Sequence, residues 1–280
     1  MAVGMRYEGR LLSGDPEAGG RAGSWVLQDG GLGAAVYLGW LAVAELLTTY
    51  ASPAYGVLCH ALLLVCCLLA AAAQDGMRPL WVVACVGPLV RLVSLGAPMW
   101  AFPEIYWFVI SAGPLFVAGA VAARLLGLSW VRVGLCPPRG RKAWMLEGAV
   151  ALSGCALGFL EWAILQPQQV VVARSPWGYV ASGAVLLICT GLLEEFLFRG
   201  LMQTVATEVL GGRSGLLFTA MAFMILHVGY RSLPDLLFVG GVGLYFGAVV
   251  RRTSSLLGVT LAHGAINTML FVVLPMAVGR

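Results

Sequence analysis

Two adjacent glutamates and an arginine stand inside one long apolar run, Leu192-Leu193-Glu194-Glu195-Phe196-Leu197-Phe198-Arg199. A charge near the middle of a bilayer costs roughly 2.5–3.5 kcal/mol on insertion scales, so two neighbouring glutamates there point to function by default. Glu195 and Arg199 are four residues apart, hence on one helix face, where the guanidinium can neutralise the carboxylate and hold it. Glu194 is turned about 100° away around the helix. It has no cation built in beside it, which makes it the candidate general base.

Two more stretches carry scarce polar residues one helical turn apart, Phe223 to His227 and His263 to Asn267, and they hold two of the three histidines in the chain. Counted at 1.5 Å per residue from the nearest inner-side charge, Glu194 lies about 21 Å deep, His227 about 21 Å and His263 about 16 Å. At that common depth a carboxylate, two imidazoles and an amide can meet in one pocket between helices. A purely structural cluster would contribute roughly 0.6 kcal/mol per interhelical polar contact and would need a matched pair of charges. Two acids beside one arginine exceed that need. The chemistry that fits is amide hydrolysis: a base activates water, and donors stabilise the oxyanion that forms on the scissile carbonyl. Glu194 assisted by His227 suits the first role, and His263 with Asn267 suits the second. Glu195, Arg199 and Phe223 are supporting residues.

In type, order and spacing, the Glu-Glu-x-x-x-Arg, Phe-x-x-x-His and His-x-x-x-Asn stretches resemble the three motifs of the CAAX-protease and bacteriocin-processing (CPBP, Abi) family of intramembrane proteases. The resemblance covers roughly residues 177–275, and no motif position departs from the pattern. It implies the same division of labour and a peptide or protein substrate associated with the lipid bilayer. It leaves two mechanisms open, since the family has been described both as metalloproteases and as metal-independent glutamate proteases. Glu194, His227 and His263 would be the zinc ligands in the first case. The favoured reading requires no cofactor. Competing functions are a proton-coupled transporter, which would use the same acids and histidines as a relay, and a non-catalytic bacteriocin-immunity or scaffold protein. No internal repeat of the kind transporters show is visible.

The remaining chain must place these residues within a membrane. Apolar residues make up 60% of the sequence and charged ones 11%, and the mean hydropathy is +0.90. These values define an all-α, polytopic bundle, expected in a bacterial cell membrane. Nine stretches can cross: 32–50, 54–73, 79–97, 105–126, 143–165, 179–208, 214–230, 234–250 and 254–275. Residues 1–31 read as a flexible polar tail, 32–126 as accessory helices, 127–142 as a cytoplasmic linker broken by Pro137 and Pro138, 143–275 as the catalytic core and 276–280 as a second tail. Within the linker, Trp130, Val131, Val133 and Leu135 fit either a surface-lying amphipathic element or a loop. The seven cysteines show no ligand spacing and read as small apolar residues. His60 reads as structural, Arg91 as the partner of Glu45, Glu104 or Glu161, and Glu161 as a minor candidate for the site.

With an inner amino terminus, thirteen of the seventeen Lys and Arg fall on the inner side, and only Arg174, Arg231 and Arg280 on the outer. The net charge of +4 thus reflects orientation and not nucleic-acid binding. Trp100, Phe102, Tyr106 and Trp107 fit an outer aromatic belt, and Trp130 and Trp144 an inner one. Reporter fusions after Lys142 and at Arg280 should therefore give opposite signals; equal signals would refute this topology.

Overall fold

The computed structural model describes residues 19–74, 76–96 and 102–279, with side chains from Gly30 onward. Among these residues every regular element is helical, and nine helices are long and apolar enough to cross a membrane. They are α1 (Gly30–Ala51), α2 (Pro53–Ala73), α3 (Arg78–Gly96), α4 (Ile105–Leu125), α5 (Arg141–Leu165), α6 (Pro176–Val209), α7 (Gly212–Tyr230), α8 (Leu233–Thr253) and α9 (Leu257–Ala277). The all-α multi-pass architecture stands, and each end lies within three residues of the expected one. Ahead of α1 the helical backbone reaches back to Gly19, into the stretch read as a tail; residues 1–18, Trp100 and Arg280 lie outside the described residues.

Local chemistry explains the ends that moved. Pro53, Pro176 and Pro234 sit in first turns, where the missing N–H costs nothing, and Ser52, Ser175 and Ser232 cap those turns by accepting a backbone N–H. Between α8 and α9, Ser254 takes a left-handed conformation (φ 55°) and ends α8. The Ser255 hydroxyl then accepts the N–H of Leu257, which sets the start of α9. Helix α3 is interrupted at Cys85, three residues before Pro88, whose ring excludes the carbonyl of the preceding turn. The linker forms turns and not a surface helix. It is tied to the α8–α9 corner by the N–H of Leu256 donating to Gly134 O (2.9 Å) and the hydroxyl of Ser255 to Cys136 O (2.9 Å).

Helix α9 lies between α5 and the first half of α6, and small residues allow the approach. On α5, Gly154 and Gly158 are one turn apart. A Cβ at Gly154 would stand 2.7 Å from Ala262 Cα, and one at Gly158 would stand 2.7 Å from Met269 Cβ. On the opposite flank a Cβ at Gly191 of α6 would stand 2.9 Å from the Gly264 nitrogen. Helix α7 packs between α8 and the second half of α6, with α1 alongside. One apolar cluster joins Tyr37, Leu41 and Leu80 of the accessory helices to Leu201, Phe218 and Phe223 of the motif-bearing ones.

Of the three partners considered for Arg91, Glu45 is the one the fold supplies. Nε and Nη2 donate to its two carboxylate oxygens at 2.7 and 2.8 Å, and His60 Nε2 stands 3.2 Å from the same group.

Because the α5–α9 seam has no room for a side chain, Gly154→Val should lower stability by roughly 1–3 kcal/mol or more. Gly148→Val on the same helix, where an added Cβ meets nothing within 4 Å, is the control. Equal melting temperatures for the two purified variants in detergent would show that the seam is not tight.

Candidate active site

The acids sit where the backbone of α6 departs from regular α-helix. In α6 the residues Leu187–Leu192 and Glu195–Met202 form wide turns closed by i→i+5 bonds, and Glu194 lies at the junction between them. Such turns are rare and concentrate at functional sites. In a bilayer they survive only where protein covers them, and all eight residues from Glu195 to Met202 are buried.

Arg199 Nη1 donates to Glu195 Oε1 at 3.0 Å, with the arginine side chain 1% exposed and the glutamate 0%. The guanidinium also lies 4.1 Å from the centre of the Phe223 ring, so an aromatic face takes part of the charge that water would otherwise solvate. The same Glu195 oxygen stands 2.8 Å from His263 Nδ1. A carboxylate held by arginine can only accept, so the proton of this bond is assigned to Nδ1. The other ring nitrogen, Nε2, is directed to Glu194, 3.8 Å from its Oε2.

This arrangement amends the picture of two acids on separate helix faces. They are separate, and only Glu195 has a cation on its own helix. The imidazole of α9 is inserted between those faces and offers one nitrogen to each. Glu195 thereby fixes the tautomer and orientation of His263, as carboxylates commonly do for functional histidines. Glu194 keeps free oxygens and a side chain 31% exposed.

His227 follows the regular turns of α7, with Nδ1 donating to Phe223 O at 2.8 Å, so its Nε2 is left as an acceptor. Phe223 links the group: its ring centre is 4.7 Å from that of His227 and 6.1 Å from that of His263. Asn267 donates from Nδ2 to Thr190 Oγ1 at 2.7 Å, and the Thr190 hydroxyl is itself turned to Leu186 O. At the start of α9 the carboxylate of Glu147 accepts the N–H of Gly258, which anchors the helix that carries His263 and Asn267.

Two cavities meet at Glu194. One, of about 60 Å³, is lined by Glu161, Glu194, His227, His263 and Asn267, together with Thr190 and Tyr230. A water needs only about 10–15 Å³ and two to four polar partners, so this space can hold one. The other, of about 250 Å³, is bordered mainly by apolar groups, among them Phe108, Leu115 and Leu193, and reaches the same Glu194 and His227. Glu161 thus stands at the site, 6% exposed, and Asp235 is buried within its electrostatic range. Thr190, Tyr230 and Glu147 were not singled out by spacing, because each is defined by a contact between helices. A carboxylate such as Glu147 inside an apolar helix was the one available signal.

The motif-bearing stretch was compared with known protein families. Residues 176–269 match the family described as type II CAAX prenyl endopeptidase Rce1-like. That stretch contains Glu194, Glu195, Arg199, Phe223, His227, His263 and Asn267, so the similarity to that family falls on the motif-bearing part of the chain. No curated protein and no solved structure matches the chain. For the metal that some descriptions of the family would require, no group of three His, Cys, Asp or Glu among the described residues is arranged to hold an ion.

Glu195→Gln should leave Arg199 buried without its countercharge and His263 without its orienting acceptor. We expect a stability loss of about 3–5 kcal/mol, read as melting temperature or as yield from membranes. A Glu195→Gln protein as stable as the parent would show that the pair is dispensable.

Proposed function

We propose that the chain is an intramembrane endopeptidase that cleaves a membrane-associated peptide or protein with a water activated by Glu194. The observation that carries this reading is the asymmetry of the two acids. Glu195 is committed to Arg199 and His263, whereas Glu194 borders a polar cavity roomy enough for water, beside His227, His263 and Asn267.

In the reaction, a water in the small cavity gives a proton to Glu194 as its oxygen attacks the scissile carbonyl carbon. His227, whose Nε2 is free to accept, holds the water against the base. The carbonyl oxygen becomes an oxyanion, which accepts from the second N–H of Asn267 and from His263 when Nε2 carries a proton. Collapse of this intermediate breaks the C–N bond, and the proton on Glu194 passes to the leaving amine. The substrate backbone would enter from the apolar cavity, whose lining suits hydrophobic side chains. The family description names prenylated carboxyl-terminal CAAX motifs, and a farnesylated peptide of that kind is the first substrate to try.

Glu194→Gln keeps size and hydrogen bonding but removes the base. Turnover of that peptide should fall roughly 100-fold to 10,000-fold with the melting temperature unchanged. Chelation of the parent enzyme should leave its rate intact. Normal cleavage by Glu194→Gln would sink the mechanism in favour of a proton relay or scaffold, and zinc-dependent recovery after chelation would replace it with a metal-assisted one.

A further inference from the structure

Arg91 lies on α3, outside the segment that matches the protease family, and its pairing with Glu45 would on its own be ordinary charge neutralisation. A third bond changes its meaning. Besides holding Glu45 through two donors, Arg91 Nη2 donates to Leu226 O at 2.6 Å. Leu226 immediately precedes His227, at the point where the regular turns of α7 end.

The last four carbonyls of a helix have no partner within it, and in an apolar bundle each needs a donor from elsewhere. Here Phe223 O accepts from the His227 ring, Met224 O from the His227 N–H at 2.9 Å, and Leu226 O from Arg91. The carbonyl of Leu226 and the N–H of His227 belong to one rigid peptide plane. That plane is therefore pinned at both ends, by Arg91 at its oxygen and by Met224 O at its nitrogen. Once it is fixed, so is the N–Cα axis about which the His227 side chain turns, and the ring bond to Phe223 O sets the remaining rotation.

Helix α1, which supplies Glu45, also secures the far end of the turn. Arg231, in a left-handed conformation (φ 56°), donates to Thr49 O and lies 5.6 Å from the centre of the Tyr50 ring. Glu45 and Thr49 are one helical turn apart on α1. Helix α1 thus holds residues 226–231 through two arginines, Arg91 of α3, which bridges Glu45 to Leu226 O, and Arg231 of the turn itself.

We infer that Arg91 is a positioning residue for His227, and that the accessory helices complete the active site rather than merely carry it. The consequence for catalysis rests on the role proposed above for His227; the positioning itself does not.

Lysine concentrates its donors on one nitrogen and lacks the planar fork by which Nε and Nη2 span the carboxylate and the carbonyl, and the pair Glu45→Gln/Arg91→Gln removes both charges without leaving either buried alone. The chain has only three histidines, so histidine-selective ¹⁵N labelling of the full-length protein in detergent gives a signal for each. In Arg91→Lys and in the double variant, the His227 signal should move, and that of His60 with it because it contacts Glu45. The His263 signal should stay. With the farnesylated peptide, turnover should fall roughly 10-fold to 100-fold while KM changes by less than about twofold.

A His227 signal unmoved in both folded variants would overturn the inference. So would collapse of all three signals in both, since Arg91 would then be holding the bundle and not the histidine. A shifted His227 signal with normal turnover would uphold the positioning and instead remove His227 from the proposed mechanism.

Discussion

A guanidinium enclosed in an apolar bundle is the constraint from which the site follows. Arg199 is 1% exposed, with Phe223 and Phe246 around it, and cannot shed its charge. It requires an ionised partner on its own helix, and Glu195 is the acid within reach. Glu195 is then unavailable as a base, but it becomes a fixed acceptor that sets the tautomer of His263. The remaining nitrogen of that ring is thereby aimed at Glu194. One buried ion pair thus decides which acid is free, which proton His263 carries and where its second nitrogen points.

Such an arrangement demands exact placement of three helices, and the backbone provides it in ways that only a covered interior permits. The wide turns of α6 lie where neighbouring helices enclose them. Close approach of α9 to both flanks depends on Gly154 and Gly158 on one side and Gly191 on the other. In hydrocarbon there is little hydrophobic gain from helix association, so tight contact and polar links must supply the specificity. The Glu147 carboxylate at the start of α9 and the Thr190 hydroxyl at Asn267 are such links, and each fixes the helix that presents His263.

Much of this was legible in the sequence, since two of its signals are local. Span positions follow from runs of apolar residues bounded by Pro, Gly and Ser, and the ends came within three residues. The Glu195–Arg199 pair follows from a spacing of four. What the sequence leaves unsaid concerns contacts between distant helices. Thr190 finds Asn267 across 77 positions and Arg91 finds Leu226 across 135, and no periodicity reports either. A helical wheel turns Glu194 away from Glu195, yet it does not show that an imidazole from another helix stands between them. Glu161 lay between these cases: its burden as a carboxylate in an apolar run was visible, but its place at the cavity required the fold.

Hydrolysis inside a bilayer poses opposite requirements, because the peptide must arrive from an apolar phase and the water must not be lost to it. In the proposed mechanism the two cavities would meet these separately. The larger has an apolar border with room for side chains, and the smaller is set with carboxylates, imidazoles and amide groups able to bind water. They share Glu194 and His227, so the groups that would activate water are also those that a substrate backbone would reach first. Had both functions been given to one polar cavity, an apolar segment would have to displace the very water it needs. In the proposed mechanism, separation would let desolvated substrate and bound water coexist at a shared border where His227 is held by its bond to Phe223 O and by Arg91 at the preceding peptide, and where Glu194 stands between two wide turns.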